Sequence, residues 1–187
     1  VLGSKTTAIG FQTLQNQNFT TATDSFNTAV GYQAGTAVTT GVQNTLLGGL
    51  AGDAITDADF NVAVGYLAGS TDVRGSQTTS VGYGALANQN FTTATDTYNT
   101  AVGSLAGVAV TTGIQNTLIG GLAGDALTDA DYNTAVGFQA LTTDTLGSTS
   151  TAIGYAALSV QNFTTATDAF NTAVGFSAGA AVTTGVK

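Results

Sequence analysis

Hydrophobic and polar positions along this chain follow a short pattern that returns ten times. Each copy places an aliphatic residue directly before a glycine, here called the anchor glycine. The anchor glycines are Gly10, Gly31, Gly48, Gly65, Gly82, Gly103, Gly120, Gly137, Gly154 and Gly175. They stand 17 or 21 residues apart, and their order of spacing repeats every 72 residues. Such a repeat is typical of a solenoid. We therefore predict an all-β, parallel β-solenoid of about ten coils, spanning residues 1–187 as a single repetitive segment.

A short strand is predicted directly before each anchor glycine. The residue before the glycine is aliphatic in all ten copies, and the residue three positions before it is Thr in nine of them. Such residues suit a pleated strand, in which successive side chains point to opposite faces. The Thr, the aliphatic residue and the residue after the glycine therefore share one face, and the smaller residues share the other. We expect the bulky face to fill the interior and the small-residue face to approach another chain closely.

The segments between copies are eight or twelve residues long. The three twelve-residue segments, 15–26, 87–98 and 159–170, each contain the sequence NFTTATD. One interpretation is a second short strand and a corner packed by Phe19, Phe91 and Phe163. Another is a protruding loop that contacts a repetitive glycan, and of the two we favour the packed corner. The final residues closely match earlier points at which a new copy begins, so we expect an excerpt of a longer array.

Charge and composition exclude several classes of function. The net charge is −8, and the cations are Lys5, Arg74 and Lys187. Nucleic-acid binding needs many cations, so we predict no nucleic-acid partner. A membrane-spanning helix needs about 20 consecutive apolar residues, and no run approaches that length. Only 7% of the residues are charged, which indicates an uncharged surface that another chain covers.

The chain lacks several of the residue types that enzymes commonly use for catalysis. His, Cys and Glu are missing, so the chain has no imidazole base and no thiol nucleophile. A glycan depolymerase would have to rely on aspartates alone, such as Asp57 and Asp59, and nothing else in the sequence indicates a substrate cleft. We predict no enzymatic activity and no required cofactor.

Repeated aspartates are the candidates for a metal site. The two sets are Asp53, Asp57 and Asp59, and Asp125, Asp129 and Asp131. Clustered carboxylates suit calcium, which binds six to eight oxygen ligands. Asp also closes turns, and we favour that role here.

Two polar columns also have alternative interpretations. The Asn column, four positions before the anchor glycine, consists of Asn27, Asn44, Asn61, Asn99, Asn116, Asn133 and Asn171. We interpret it as a ladder of stacked amides between coils rather than as a recognition surface. The Thr column suggests an ice-binding solenoid, because flat Thr arrays order water. We disfavour that function because we expect Thr to lie inside with the aliphatic residues.

The repeated motif resembles two groups of fibrous proteins. The form A-[VI]-G-[YF]-x-A, at residues 29–34, 63–68 and 135–140, resembles the head repeats of trimeric autotransporter adhesins. The longer forms NTAVGYQAG and NTAVGFQAL resemble repeats of phage tail fibres. The resemblance implies a left-handed parallel β-roll with three chains side by side in a fibre. Coils of 17 and 21 residues are longer than is usual in adhesin heads.

This resemblance leads to an expected function. We expect a structural and adhesive fibre segment, part of a phage tail fibre or virion appendage used for host attachment. The partners would be two further copies of the chain and a host receptor or glycan. The alternative is a bacterial trimeric surface adhesin or extracellular filament subunit, located outside the cell or at its surface. The resemblance supplies no catalytic residues.

Overall fold

The computed structural model describes residues 2–186, which contain short strands joined by turns and no helix. Ten strands have three residues, namely β2 (Thr7–Ile9), β4 (Thr28–Val30), β5 (Thr45–Leu47), β6 (Val62–Val64), β8 (Thr79–Val81), β10 (Thr100–Val102), β11 (Thr117–Ile119), β12 (Thr134–Val136), β14 (Thr151–Ile153) and β16 (Thr172–Val174). Six strands have two residues, namely β1 (Gly3–Ser4), β3 (Thr23–Asp24), β7 (Gly75–Ser76), β9 (Thr95–Asp96), β13 (Gly147–Ser148) and β15 (Thr167–Asp168). Every three-residue strand ends directly before an anchor glycine, as predicted.

The ten longer strands form one parallel sheet in chain order, from β2 at one edge to β16 at the other. Equivalent residues of neighbouring copies lie opposite each other, so that Thr28 pairs with Thr45 and Ala29 with Leu46. Because consecutive strands are both parallel and adjacent, the chain completes one turn between them. The predicted parallel β-solenoid of about ten coils is therefore confirmed.

The twelve-residue segments form the packed corner that the sequence favours. Each contributes one two-residue strand, and β3, β9 and β15 pair in parallel with β1, β7 and β13. Phe19, Phe91 and Phe163 are buried beneath these small sheets. The residues between each Phe and its strand are exposed, at 20–22, 92–94 and 164–166.

The interior is lined by the small-residue face of the strands, opposite to our expectation. Ala29, Leu46 and Ala101 are fully buried, whereas Val102 is 37% exposed. The prediction that the aliphatic face fills the core was wrong because the interior is thin. Side chains from the rest of each coil, such as Ala34 and Val38, already occupy it. Close packing then leaves room for Ala or one Leu from the strand, and the bulkier column must point outward.

The anchor glycines allow the coils to stack closely. All ten have φ between 128° and 142°, a backbone conformation that L side chains rarely adopt. A Cβ atom added at Gly65 would lie 2.5 Å from the carbonyl oxygen of Gly82 in the next coil. Only a residue without a Cβ fits both constraints.

A ladder of buried asparagines joins the coils from inside. Asn44 accepts a hydrogen bond at its Oδ1 from the backbone N–H of Asn61 in the next coil, at 2.9 Å. Its Nδ2 donates to the carbonyl of Ala58, also at 2.9 Å. The amides therefore bond the backbone of the following coil rather than one another. The interpretation of the Asn column as a structural ladder between coils is otherwise consistent with this geometry.

The first prediction tests the glycine column. Gly65→Ala is expected to lower the free energy of unfolding by about 3 kcal/mol or more, because it combines a strained φ with a backbone clash. Gly49→Ala is the matched control, since its Cβ would meet the Tyr66 ring at an ordinary 3.4 Å. Urea unfolding of both variants measures the difference. Equal stability of the two variants would contradict this role of the anchor glycine.

Candidate functional site

The outward side of the ten-stranded sheet is the most extensive candidate site. This outer face consists of the Thr column, the aliphatic column and the column of residues that follow the anchor glycines. Within the aliphatic column, Val102, Ile119 and Ile153 are 37–39% exposed although each lies between two neighbouring strands. None of the three columns contains a charged residue. The face is therefore an uncharged, largely apolar strip along the whole solenoid.

Aromatic rings line one margin of the outer face. They are Phe11, Tyr32, Tyr66, Tyr83, Phe138, Tyr155 and Phe176, with exposures of 47–78%. Several stack on the ring of the next coil, for example Phe11 on Tyr32 with centroids 5.7 Å apart, and Tyr155 on Phe176 at 5.0 Å. Stacking of this kind orders the rings before any partner binds.

The dimensions of the outer face match those of a protein interface. Ten strands spaced about 4.8 Å apart give a length of about 48 Å. Five residues from Thr to the aromatic margin give a width of roughly 15 Å. The resulting area of roughly 700 Å² is close to the ~800 Å² that each partner contributes to a standard interface. The aliphatic and aromatic columns supply the apolar part of this area, and exposed apolar patches of roughly a few hundred Å² mark interaction sites.

A second line of aromatic side chains was not anticipated from the sequence. It lies five positions before each anchor glycine, at the turn that leads into the strand, and we call it the corner column. Its members are Lys5, Phe26, Gln43, Phe60, Gln77, Tyr98, Gln115, Tyr132, Thr149 and Phe170. Aromatic and polar residues alternate strictly from coil to coil. Aligning the copies on the anchor glycine reveals this alternation. The alignment does not indicate which way the side chains point.

The three aspartates of the first predicted metal set, Asp53, Asp57 and Asp59, differ in their surroundings. Asp57 forms an ion pair with Arg74 at 3.2 Å. Asp59 accepts a hydrogen bond at Oδ1 from the backbone N–H of Val42, at 2.7 Å. The Oδ1 of Asp53 is buried and has no hydrogen-bond partner.

The second set behaves similarly, and each carboxylate bonds a neighbouring coil. Asp125 accepts from the Thr142 hydroxyl, and Asp131 from the backbone N–H of Ile114 at 2.8 Å. Asp129 accepts from the hydroxyl of Thr112, at 2.6 Å. Within residues 2–186, no three acidic side chains come close enough together to hold a metal ion. The calcium site stays a prediction from sequence, and the observed contacts support a structural role for the five aspartates other than Asp53.

Burial changes the acidity of two of these carboxyls. Desolvation raises the pKa of Asp53, opposed by a hydrogen bond from its own backbone. Desolvation also raises the pKa of Asp131, opposed by the hydrogen bond from the backbone of Ile114. In contrast, hydrogen bonds from Lys5 and then Ser4 lower the pKa of Asp24 at the surface.

Two buried aspartates were missed by the sequence analysis. Asp72 accepts hydrogen bonds at Oδ1 from the backbone N–H groups of Gly75 and Phe91, each at 3.0 Å. The side chain of Gln89 donates to its Oδ2 at 2.5 Å. Asp144 makes the equivalent contacts in the next 72-residue unit. These carboxylates fix the twelve-residue segments to the coil before them.

The two polar columns occupy opposite environments. The Asn side chains from Asn27 to Asn133 are buried, so they contribute little to any recognition surface. The Thr column lies on the outer face and is half-buried or exposed, for example at Thr28 and Thr172. The argument against ice binding, which placed Thr in the interior, was therefore wrong.

Searches for related proteins and membrane segments give no further assignment. No protein-family model matches the chain, and neither a curated protein nor a solved structure shows significant similarity to it. Across residues 2–186, no helix has the length and apolar character needed to cross a membrane.

The second prediction concerns Asp53, whose buried Oδ1 has no hydrogen-bond partner. Because its pKa is raised by folding, the folded chain binds this proton more tightly than the unfolded chain. Its contribution to stability is therefore largest below the unfolded pKa of about 3.9, and it is lost as the pH rises through the folded pKa. Asp53→Asn is expected to raise the melting temperature at pH 7, by the equivalent of up to about 1 kcal/mol because the group is only half-buried.

Asp125→Asn is the matched control, because the carboxylate it replaces accepts a hydrogen bond from Thr142. This variant is expected to leave the melting temperature at pH 7 unchanged or lower it. Thermal unfolding from pH 4 to pH 8 compares both variants with the parent chain. A lower melting temperature for Asp53→Asn at pH 7 would contradict the assignment of an unfavourable buried charge.

Proposed function

We propose that this chain is a stiff rod segment of a homotrimeric fibre, in a phage tail fibre or a similar virion appendage used for host attachment. The observation that carries the proposal is the outer face, an uncharged and largely apolar strip that spans all ten strands. The motif resemblance to tail fibre and adhesin repeats supports the number of three chains. The alternative within the same class is a bacterial surface adhesin or extracellular filament subunit.

Stiffness follows from bonding that repeats in every coil. Backbone hydrogen bonds join each strand to the next, and the Asn ladder adds a second set inside. Each coil contacts only its neighbours along the axis, so the rod has no hinge between separate domains. A rod of this kind suits a spacer or an extended attachment surface.

A second copy is the partner that best matches the outer face. Its aliphatic and aromatic columns repeat at the strand spacing of about 4.8 Å. A partner with the same coil rise meets this pattern at every coil, whereas a globular partner matches it over only part of its length. The lack of charge on the face removes the desolvation cost that ionic groups would add on association. Each chain in the fibre therefore covers the outer face of its neighbours.

The third prediction is the mass of the chain in solution. Light scattering on a sizing column is expected to give about three times the chain mass of 18.5 kDa. Val102→Lys and Ile119→Lys, each on the outer face, are expected to give the single chain mass with the β-sheet circular dichroism retained. Burying an unpaired ammonium in the interface costs far more than leaving it in water.

Thr92→Lys is the matched control, because Thr92 is exposed on a twelve-residue segment away from the three columns. It adds the same charge and is expected to leave the mass unchanged. A single chain mass for the parent protein would overturn the fibre proposal for this segment. Retained assembly in both outer-face variants would place the interface elsewhere.

Ice binding is the second candidate function, and one observation favours it. The Thr column lies outward on a parallel sheet whose strands pair in register. The exposed aromatic margin beside it interrupts a flat array of small side chains, which is why we place this function second. Thermal hysteresis measured on the parent chain tests it directly. A monomer with hysteresis that Thr117→Lys abolishes would replace the fibre proposal.

A further inference from the structure

We propose that the corner column is a binding track for an uncharged, β-1,4-linked polysaccharide. This proposal names a ligand for the adhesive part of the proposed function and rests on it. Three of its side chains carry the argument: Phe60, Tyr98 and Tyr132. They are 49–52% exposed, so each ring has a large surface in contact with solvent.

The corner column is continuous along the solenoid. The backbone N–H of a corner residue donates to the coil before it, for example Phe60 to the carbonyl of Val42 at 3.1 Å and Tyr132 to that of Ile114 at 3.1 Å. Gln77 bonds Asp59 in the same way, at 3.0 Å. The corner residues therefore stack in register at the spacing of the coils, and they form one continuous column.

The backbone conformation at these positions is unusual for aromatic residues. All ten corner residues are left-handed, and Phe60, Tyr98 and Tyr132 have φ values of 52–61°. Bulky side chains rarely occupy this region, and holding them there costs roughly 1–3 kcal/mol each. Gln occupies the same conformation at Gln43, Gln77 and Gln115, so the turn does not require a ring. The left-handed conformation is therefore a property of the turn in every coil, and the ring at every second coil is an additional feature that the turn does not explain.

The spacing of the rings identifies the class of ligand. Aromatic residues occupy every second coil, which places them roughly 10 Å apart. In a β-1,4-linked pyranose chain, each sugar is about as long as the strand spacing, and alternate sugars present the same face. Every ring of the corner column therefore meets the same face of every second sugar. An α-1,4-linked chain coils and loses this register after a few units.

The residues between the rings fit the intervening sugars. Gln43, Gln77 and Gln115 each carry an amide that both donates and accepts hydrogen bonds, as sugar hydroxyls require. Gln77 already donates to the Tyr98 hydroxyl, at 3.3 Å, so amide and ring are positioned together. Aromatic faces with neutral amides between them are complementary to an uncharged polyol.

Charge excludes an acidic polysaccharide. The cations among residues 2–186 are Lys5 and Arg74, and each is paired with an aspartate, Asp24 and Asp57 respectively. Asp59 and Asp131 directly precede Phe60 and Tyr132, and their carboxylates would repel a uronic acid or sulfate group. Lys5 lies 5.0 Å from the ring centre of Phe26, and so occupies part of the track in the first coils. The rings from Phe60 onward therefore carry the binding.

The fourth prediction tests this track with the full chain. Isothermal titration calorimetry uses cellohexaose and chitohexaose as β-1,4-linked probes and maltohexaose as the α-1,4-linked control. Binding of either β-1,4 probe with no binding of maltohexaose is expected, and the stronger of the two identifies the sugar. Affinity is expected to increase with each pair of sugars added, because each pair reaches a further ring.

Two variants separate ring spacing from ring number. Tyr98→Gln with Tyr132→Gln removes two rings using the residue that the column already carries, and is expected to weaken binding by about tenfold for each lost ring. Gln77→Tyr with Tyr98→Gln keeps the number of rings but moves one by a single coil. It is expected to weaken hexasaccharide binding to a similar degree as loss of that ring.

Mass in solution and melting temperature of both variants serve as controls for folding and assembly. The proposal is overturned if neither β-1,4 probe binds the parent chain, if maltohexaose binds equally well, or if the variant with the moved ring binds like the parent. None of these results bears on the mass of the fibre, so the track and the fibre fail independently.

Discussion

The close approach of one anchor glycine to the next is the constraint on which the rest of the structure depends. At this point the backbone of one coil lies directly against a carbonyl of the following coil, and a single Cβ atom would separate them. The three-residue strand pairs in register because the chain on its C-terminal side stacks this tightly. The Asn ladder then repeats at the same interval on the inside, since its amides bond the backbone of the adjacent coil. A conformation available almost only to glycine thus sets the repeat that the sequence displays.

Much of the architecture could be predicted from the sequence, because a repeat constrains the whole chain at once. Ten aliphatic-glycine pairs at two fixed spacings indicate stacked coils, and Thr with β-branched neighbours indicates strands. The direction of the faces could not be predicted from side-chain size alone. Whether Val30 or Ala29 points inward depends on how much space the other walls of the coil leave. That space is filled by Ala34 and Val38, which the strand pattern does not include.

The candidate sites were harder to predict for a related reason. Asp72 resembles a turn residue in the sequence, and only the path of the next coil brings Gln89 and the N–H of Phe91 to it. The exposed rings of the corner column were missed for the same reason, because their position depends on the path of the backbone. Their exposure depends on a left-handed backbone at a turn, and sequence pattern gives little indication of φ at a non-glycine residue. Reversal of the faces also changes the functional interpretation, since the bulky residues assigned to the core become the surface available to partners.

The network around Asp72 and Gln89 affects which coils pair with each other during folding, in addition to how strongly they are held together. Coils of equal length with nearly equal strands offer each strand several similar neighbours, so a chain built only from them is prone to pair one coil out of place. Once in each 72-residue unit a hydroxyl residue, Thr6, Thr78 or Ser150, takes the place of the Asn. Gln89 bonds both Thr78 and the next Asn, Asn99. Asp72 and Gln89 meet only when their two coils are adjacent. The longer coil therefore acts as a register mark, and a pairing error is recognised within four coils instead of extending along the rod.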